Sequence, residues 1–169
     1  MNERMIDDID KQILSMLQAN ARVSNAEIAR CVEMAPSAVL ERIRKLEERG
    51  IVREYTARLE PQELGLGLLA FIFVRTKAGT WQENTAERLA ELSEVEEVHH
   101  ITGEDCFLVK VRVKDPNALG ALLRDGIDEI DSVSGTRTTV VLESVKETTR
   151  VCLDRVICRE RGRGREVKS

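Results

Sequence analysis

One stretch, residues 24–52, constrains this chain more than any other: SNAEIARCVEMAPSAVLERIRKLEERGIV. It reads as two short helices joined by a tight turn, stopped by a glycine and followed by a β-type segment. Ser24 and Glu27 form S-x-x-E, a capping box in which each side chain meets the other's backbone N–H. The helix so opened presents Ile28, Ala29 and Val32 on one face, with Ala29 small enough for two helix axes to cross closely. Glu33, Met34 and Ala35 make the turn. Pro36 suits the first position of the next helix, where its missing N–H would have no partner anyway. Val39, Ile43 and Leu46 then recur at i, i+4 and i+7 as a core-facing stripe. Gly50 supplies the left-handed residue that ends the helix. Ile51, Val52, Tyr55 and Leu59 have the composition of a wing strand. Upstream, Asp7 or Asp8 caps a helix striped by Ile9, Ile13, Leu14 and Leu17. Three helices and a wing complete a small winged helix-turn-helix domain over residues 1–59.

Such a fold places the first turns of its second motif helix against base edges in the major groove. Ser37 and Ala38 are small enough to permit that approach. Arg42 and Lys45 lie further along the same face, where arginine can read guanine or grip phosphate. Arg44, Arg49 and Arg53 suit phosphate contact, which adds affinity but little sequence information. The plainer alternative is a helical hairpin with a solvated charged face; the preceding helix and the wing argue against it.

Composition bounds the rest. The 169 residues are 42% hydrophobic and 33% charged, which excludes a disordered or membrane-embedded chain. No apolar run approaches the roughly 20 residues that span a bilayer, and no secretory signal pattern opens the chain. Cys31, Cys106, Cys152 and Cys158 lack the paired spacing of a zinc site or disulfide framework, so reduced thiols in a cytoplasmic protein with no metal or other cofactor are expected. The net charge is −4, and residues 150–169 carry +4 of it, leaving −8 on residues 1–149. An acidic body repels DNA unless its cations gather on one face. A local basic patch from Arg42 to Arg53 is therefore expected, doubled by dimerisation.

Residues 60–67, with Pro61, Gly65 and Gly67, read as a linker. LLAFIFVRT, Leu68 to Thr76, is an apolar, β-favouring strand. Gln82 to Leu92 carries a helical stripe of Ala86, Leu89, Ala90 and Leu92, and Trp81 before it suits a loop or interface anchor. Val95 to Ile101 passes through turn residues Gly103, Glu104 and Asp105 into Cys106 to Val113, a hairpin signal. Phe107, Val109, Val111 and Val113 share one face of that second strand; Lys110 and Arg112 take the other. Asp115-Pro116 opens a helix with Leu119, Leu122, Leu123, Ile127 and Ile130 inward, and Val140 to Val145 closes the sheet. The order βαββαβ over residues 68–149 predicts a ferredoxin-like domain, α+β in class, with two helices on one face of a four-stranded antiparallel sheet. Its bare face calls for self-association.

A winged helix-turn-helix followed by this unit resembles the Lrp/AsnC (feast/famine) family of prokaryotic transcription regulators. The likeness covers roughly residues 5–150. IDDIDKQIL looks like the family's first helix, APSAVLERIRKLEERGIVREYTARLEP like its recognition helix and exit, and ITGEDCFLVKVRV and GTRTTVVLESVK like its effector-domain hairpin and last strand. The resemblance implies homodimers built through the C-terminal domains, octamers or larger discs, and amino-acid or related effectors bound where dimers meet. On that analogy Gly103, Glu104, Asp105 and Cys106 are effector-site candidates, with Thr138 and Thr139 of the last strand beside them. Three positions depart from the family pattern. Glu33 stands where glycine is usual, at a cost of about 1 kcal/mol if the backbone is left-handed. Ala35 stands where a capping serine is usual, a loss of about 1 kcal/mol. In the loop, Cys106 stands where an aspartate is usual and Asp105 is shifted one place. A neutral thiol receives an ammonium group poorly.

Two other functions compete with a DNA-binding regulator. His99, His100, Glu104, Asp105 and Cys106 are near enough in sequence to suggest metal or acid–base chemistry, but adjacent residues of a strand face opposite ways, so the expectation is that the chain is not an enzyme. The other is an effector-independent architectural DNA-binding protein or ligand-binding scaffold. The Arg/Gly-rich tail, residues 150–169, is expected to be disordered.

Overall fold

The structure, a computed structural model, describes residues 6–77 and 84–153. They fall into two compact units. Residues up to Ala57, together with the segment from Thr148, form one; Arg58–Glu147 form the other.

The first unit is a three-helix assembly. Helix α1, Asp8–Ala19, opens on a complete capping box: the Asp10 N–H donates to Asp7 at 2.8 Å and the Asp7 N–H to Asp10 at 3.3 Å. Helix α2, Asn25–Cys31, is capped by Ser24, which accepts from the Glu27 N–H at 3.2 Å; the return bond expected from Glu27 is not made, so that box is half formed. Helix α3, Pro36–Glu48, begins at Pro36 after Ala35, whose methyl side chain gives the helix no cap. Ile13, Leu14, Ile28, Ala29, Val39, Ile43 and Leu46 are buried together, as their spacing requires. Each large one stabilises the unit by about 1.5–3 kcal/mol over its exposed state. Glu33 holds φ +52°, the left-handed conformation that the family pattern gives to glycine.

After α3 the chain departs from the expected wing. Gly50, at φ +67°, ends the helix with paired bonds, its own N–H to the Glu47 carbonyl at 2.8 Å and the Ile51 N–H to the Leu46 carbonyl at 2.9 Å. Ile51 and Val52 then pack against the helical core rather than entering a strand. Residues 53–60 run without a strand partner, with Tyr55 and Leu59 exposed. Their β-favouring composition is real, but a strand needs a ladder to donate to, and this chain offers none there. Among the described residues the unit is a helix-turn-helix with no wing strand.

Part of the tail also differs from expectation. The Gln18 side chain grips the Val151 backbone at both ends, accepting from its N–H at 2.7 Å and donating to its carbonyl at 3.2 Å. Leu153 packs against the helical core. The rest of the tail, Cys158 and Trp81 lie outside the described residues.

The second unit is the expected βαββαβ sandwich. Strands β1 (Leu68–Thr76), β2 (Val95–His100), β3 (Phe107–Val113) and β4 (Val133–Val140) form one sheet in the order β2-β3-β1-β4, every neighbouring pair antiparallel. Helix α4 (Thr85–Ala90) and α5 (Pro116–Ala121), the latter continued by a wider turn over Leu122–Ile127, cover one face. Ala70, Ile72, Val74, Val109, Val111 and Val113 point into that layer against Leu89, Leu119, Leu122 and Ile127. Asp115 caps α5 by accepting from the Ala118 N–H at 2.8 Å. Residues 60–67, expected as a linker, fall within the second unit and hold a short 3-10 turn, Gln62–Leu64, closed by left-handed Gly65. The closing strand lies earlier than expected, at Val133–Val140 rather than Val140–Val145. Ser134 and Gly135 fit at the end of an edge strand, where a bulge at Arg75/Thr76 absorbs the irregularity.

Candidate functional sites: a helix face and a strand-end pocket

The outer face of α3 is one candidate. Ser37, Leu40, Glu41, Arg44, Lys45 and Glu48 are exposed along it, and Ala38 is half-buried at its first turn. Lys45 pairs with Glu41 one turn earlier at 2.9 Å, holding the Glu41 carboxyl below its ordinary range. Arg49 and Arg53 are exposed beyond the helix end. Leu40, 37% exposed, is an apolar side chain on this polar face that pattern reading missed. Its signal was present: it is three and four residues from Ser37 and Arg44, off the Val39–Ile43–Leu46 stripe.

Arg42 corrects the sequence reading. Its guanidinium turns to α1 and meets Asp7 at 2.8 Å and Asp10 at 2.7 Å. Burial favours the neutral forms of both Asp7 and Arg42, but it is outweighed: the Asp10 N–H and Arg42 hold Asp7 below its usual value, and the two carboxylates raise Arg42 above its own. Arg42, its side chain 28% exposed, is thus a tie between helices. The expected basic patch shrinks to Arg44, Lys45, Arg49 and Arg53.

The second candidate lies at one end of the sheet. Gly103, at φ +127°, lets the β2–β3 loop turn where a side chain would be strained. The loop is pinned by the Ile101 N–H on the Cys106 carbonyl at 2.9 Å and the Cys106 N–H on the Val74 carbonyl at 2.8 Å. This sets Asp105 between two arginines from neighbouring strands. Arg137 of β4 reaches it at 2.9 Å and Arg75 of β1 at 3.5 Å. Glu104 stands 3.7 Å from Arg75. The Arg137 guanidinium carbon lies 3.8 Å over the Phe73 ring centroid, a cation–π stack. Arg75, Asp105, Gly135, Thr136 and Arg137 enclose a small open pocket of about 120 Å³.

Of the expected effector residues, Asp105 alone lines this pocket. The Cys106 thiol is turned to the Thr76 hydroxyl at 3.2 Å. Thr138 and Thr139 lie further along β4, opposite Ile72 and Phe71, and do not line it. The strand begins seven residues before its expected start, and that shift places Thr136 and Arg137 at the pocket instead. Arg75 and Arg137 could be found only once the sheet register was known.

The histidines do not converge. His99 bonds Glu97 at 2.9 Å, while the His100 ring lies 5.2 Å from that of Phe107. Among the described residues no group of three His, Cys, Asp or Glu could hold a metal ion. On the open sheet face, Lys110 meets Glu147 at 2.5 Å and Glu96 at 3.1 Å, and Arg112 meets Glu96 at 2.7 Å. Lys110 holds the Glu147 carboxyl below its ordinary range; the carboxylates in turn raise Lys110 against the effect of its burial.

Comparison with known proteins agrees with both units. The Lrp/AsnC ligand binding domain matches residues 69–151, and the AsnC-type helix-turn-helix domain residues 6–47. The HTH-type transcriptional regulator FL11 of Pyrococcus horikoshii is 42% identical over 144 residues, covering 85% of this chain and 94% of that protein. The leucine-responsive regulatory protein of Escherichia coli is 38% identical over 152 residues, 88% of this chain and 92% of the relative. Among solved structures, a Neisseria meningitidis transcriptional regulator in complex with L-methionine superposes with a TM-score of 0.82 at 32% identity, covering 90% of this chain and all of that one. A helix-turn-helix with an open second helix, joined to a ferredoxin-like sheet and matched along nearly its whole length, places the chain in the Lrp/AsnC family of DNA-binding transcriptional regulators.

Proposed function

We propose that α3 enters the major groove of double-stranded DNA with Ser37, Ala38, Leu40, Arg44 and Lys45 facing the duplex, and that Arg49 and Arg53 hold phosphates. The observation that carries this is the exposed outer face of α3, which no other described element of its unit covers. Leu40 suits a thymine methyl group, and Arg44 a guanine edge or a phosphate. Two copies are needed for a two-fold site, with reading helices roughly 34 Å apart. The open sheet face supports a homodimer: Phe71, Phe73 and Leu108 are half-buried there within one chain, so a second copy would complete their burial. Higher assembly, to an octamer, follows if dimers meet at the loop ends of their sheets. That the relatives it matches are named transcriptional regulators supports a chain that acts by binding DNA.

A small effector bound at the Arg75–Asp105–Arg137 pocket would alter how copies meet, and hence the spacing of the reading helices. The structural neighbour from N. meningitidis was solved with L-methionine, which supports an effector of that size. Light-scattering mass and DNA affinity, measured with and without small metabolites at fixed salt, test the proposal. A DNA footprint that spans two half-sites and a ligand-dependent mass are expected. Binding that is uniform across sequences and indifferent to every metabolite would sink it.

A further inference from the structure

The same pocket carries an inference about its ligand, one that rests on the effector reading above. We infer that it takes a small carboxylate with no ammonium group, of which a 2-oxo acid is the simplest case. An α-amino acid brings a carboxylate and an ammonium, and the ammonium needs an acceptor held ready for it. Asp105 is the acid of the pocket, yet its side chain is only 13% exposed and each of its oxygens already faces an arginine. Glu104, 93% exposed, stands 3.7 Å from Arg75 on the outer side and does not line the pocket. The Cys106 thiol, at the position where an acid is usual, is turned to Thr76 and carries no charge when protonated.

Donors, by contrast, are in surplus. A guanidinium has five N–H donors, and Asp105 occupies few of the ten that Arg75 and Arg137 supply. Both arginines remain more than half exposed, at 55% and 61%. Stacking on Phe73 fixes the plane of Arg137 in advance of any ligand, so less freedom is lost when a carboxylate docks on it edge-on. A 2-oxo acid offers acceptors at both its carboxylate and its adjacent carbonyl and has no donor to satisfy. The pocket is small, about 120 Å³, and suits the carboxylate end of a small acid.

The experiment is isothermal titration of the full chain with matched pairs that differ only in this respect: 2-oxoglutarate against L-glutamate, and the 2-oxo acid of methionine against L-methionine, with inorganic phosphate alongside. At least one 2-oxo acid is expected to bind tenfold or more tightly than its amino acid and more tightly than phosphate. Arg137→Gln and Arg75→Gln should each lose tenfold or more, and Asp105→Asn, which removes the negative charge between the two arginines, should bind more tightly. Equal or tighter binding of the amino acids, phosphate binding as tight, or no binding of any probe overturns the inference. Comparing the wild-type chain with matched ligands needs no variant to fold. DNA affinity and mass measured in the same samples separate the two ideas. A 2-oxo acid that binds without changing either removes the gating proposal and leaves the ligand class standing. Gating by amino acids alone does the reverse.

Discussion

The Arg42 guanidinium stands 2.7 Å from the Asp10 carboxylate and fastens α3 to α1. Asp10 is 8% exposed and is itself part of the cap of α1, so one carboxylate serves the start of one helix and the flank of another. Arg42→Ala should therefore lower the stability of the helix-turn-helix unit by about 1.5–3 kcal/mol, the range for a hydrogen bond to a charged group. Asp10→Ala should cost a similar amount, and the double variant less than the sum. Urea denaturation of the four proteins checks this. A loss of DNA affinity in Arg42→Ala at unchanged stability would instead return Arg42 to the reading face.

The exposed cations of α3 make a different forecast. Arg44→Ala and Lys45→Ala should leave the fold unchanged and weaken DNA binding, and any phosphate contact removed should reduce the salt dependence of the affinity by about one ion. Lys45 already pairs with Glu41, so its effect should be the smaller of the two. Fluorescence anisotropy over a salt series reads both quantities. Leu40→Ala should leave the salt slope alone and relax preference at a single base pair.

Two features of the motif turn are local faults that can be mended. Ala35 leaves α3 without a side-chain cap, and Ala35→Ser should add about 1 kcal/mol. Glu33 holds a left-handed backbone at φ +52°. Glu33→Gly removes a strain of about 1–2 kcal/mol but frees the unfolded chain by about 0.4–1 kcal/mol, so its gain should be smaller. Thermal unfolding should rank Ala35→Ser at or above Glu33→Gly and both above the parent. A destabilised Ala35→Ser would mean that the turn cannot present a serine hydroxyl to the Ala38 N–H.

These positions also mark what the sequence could and could not disclose. Helix stripes, the Ser24 and Asp115 caps and the Gly50 stop are decided within a few residues, and each was legible; the cap of α1 was legible only as Asp7 or Asp8, and the left-handed backbone at Glu33 only through the family pattern. The alternation in β3 was legible for the same reason. What failed depended on residues far apart. The side chain of Arg42 faces both outward and sideways on a helical wheel, and only the nearness of α1, 32 positions earlier, chooses between them. The wing failed because composition favours extended chain without supplying a partner strand. The start of β4 failed because an edge strand accepts Ser134 and Gly135, and with it the pocket arginines stayed hidden: Arg75 and Arg137 meet Asp105 only through the register of two strand pairs.

Acid should find weak points in both units. Burial works against ionised Asp7, but the Asp10 N–H and Arg42 more than offset it, so its folded value lies below the ordinary 3.8. Glu147, bonded by Lys110, lies below the ordinary 4.5. A depressed carboxylate binds its proton more readily unfolded than folded, so its contribution is complete above the unfolded value and is lost as pH falls through the folded one. Stability should hold level down to about pH 5 and then decline, with Asp7 and Glu147 each taking a share of the slope below pH 4.5. Asp7→Asn and Glu147→Gln should be less stable than the parent at pH 7, and the difference should shrink in acid. Urea midpoints followed by circular dichroism at several pH values measure it. Parallel curves for parent and variant would show that these carboxylates bind protons equally in both states, and that Arg42 and Lys110 do not hold them in solution.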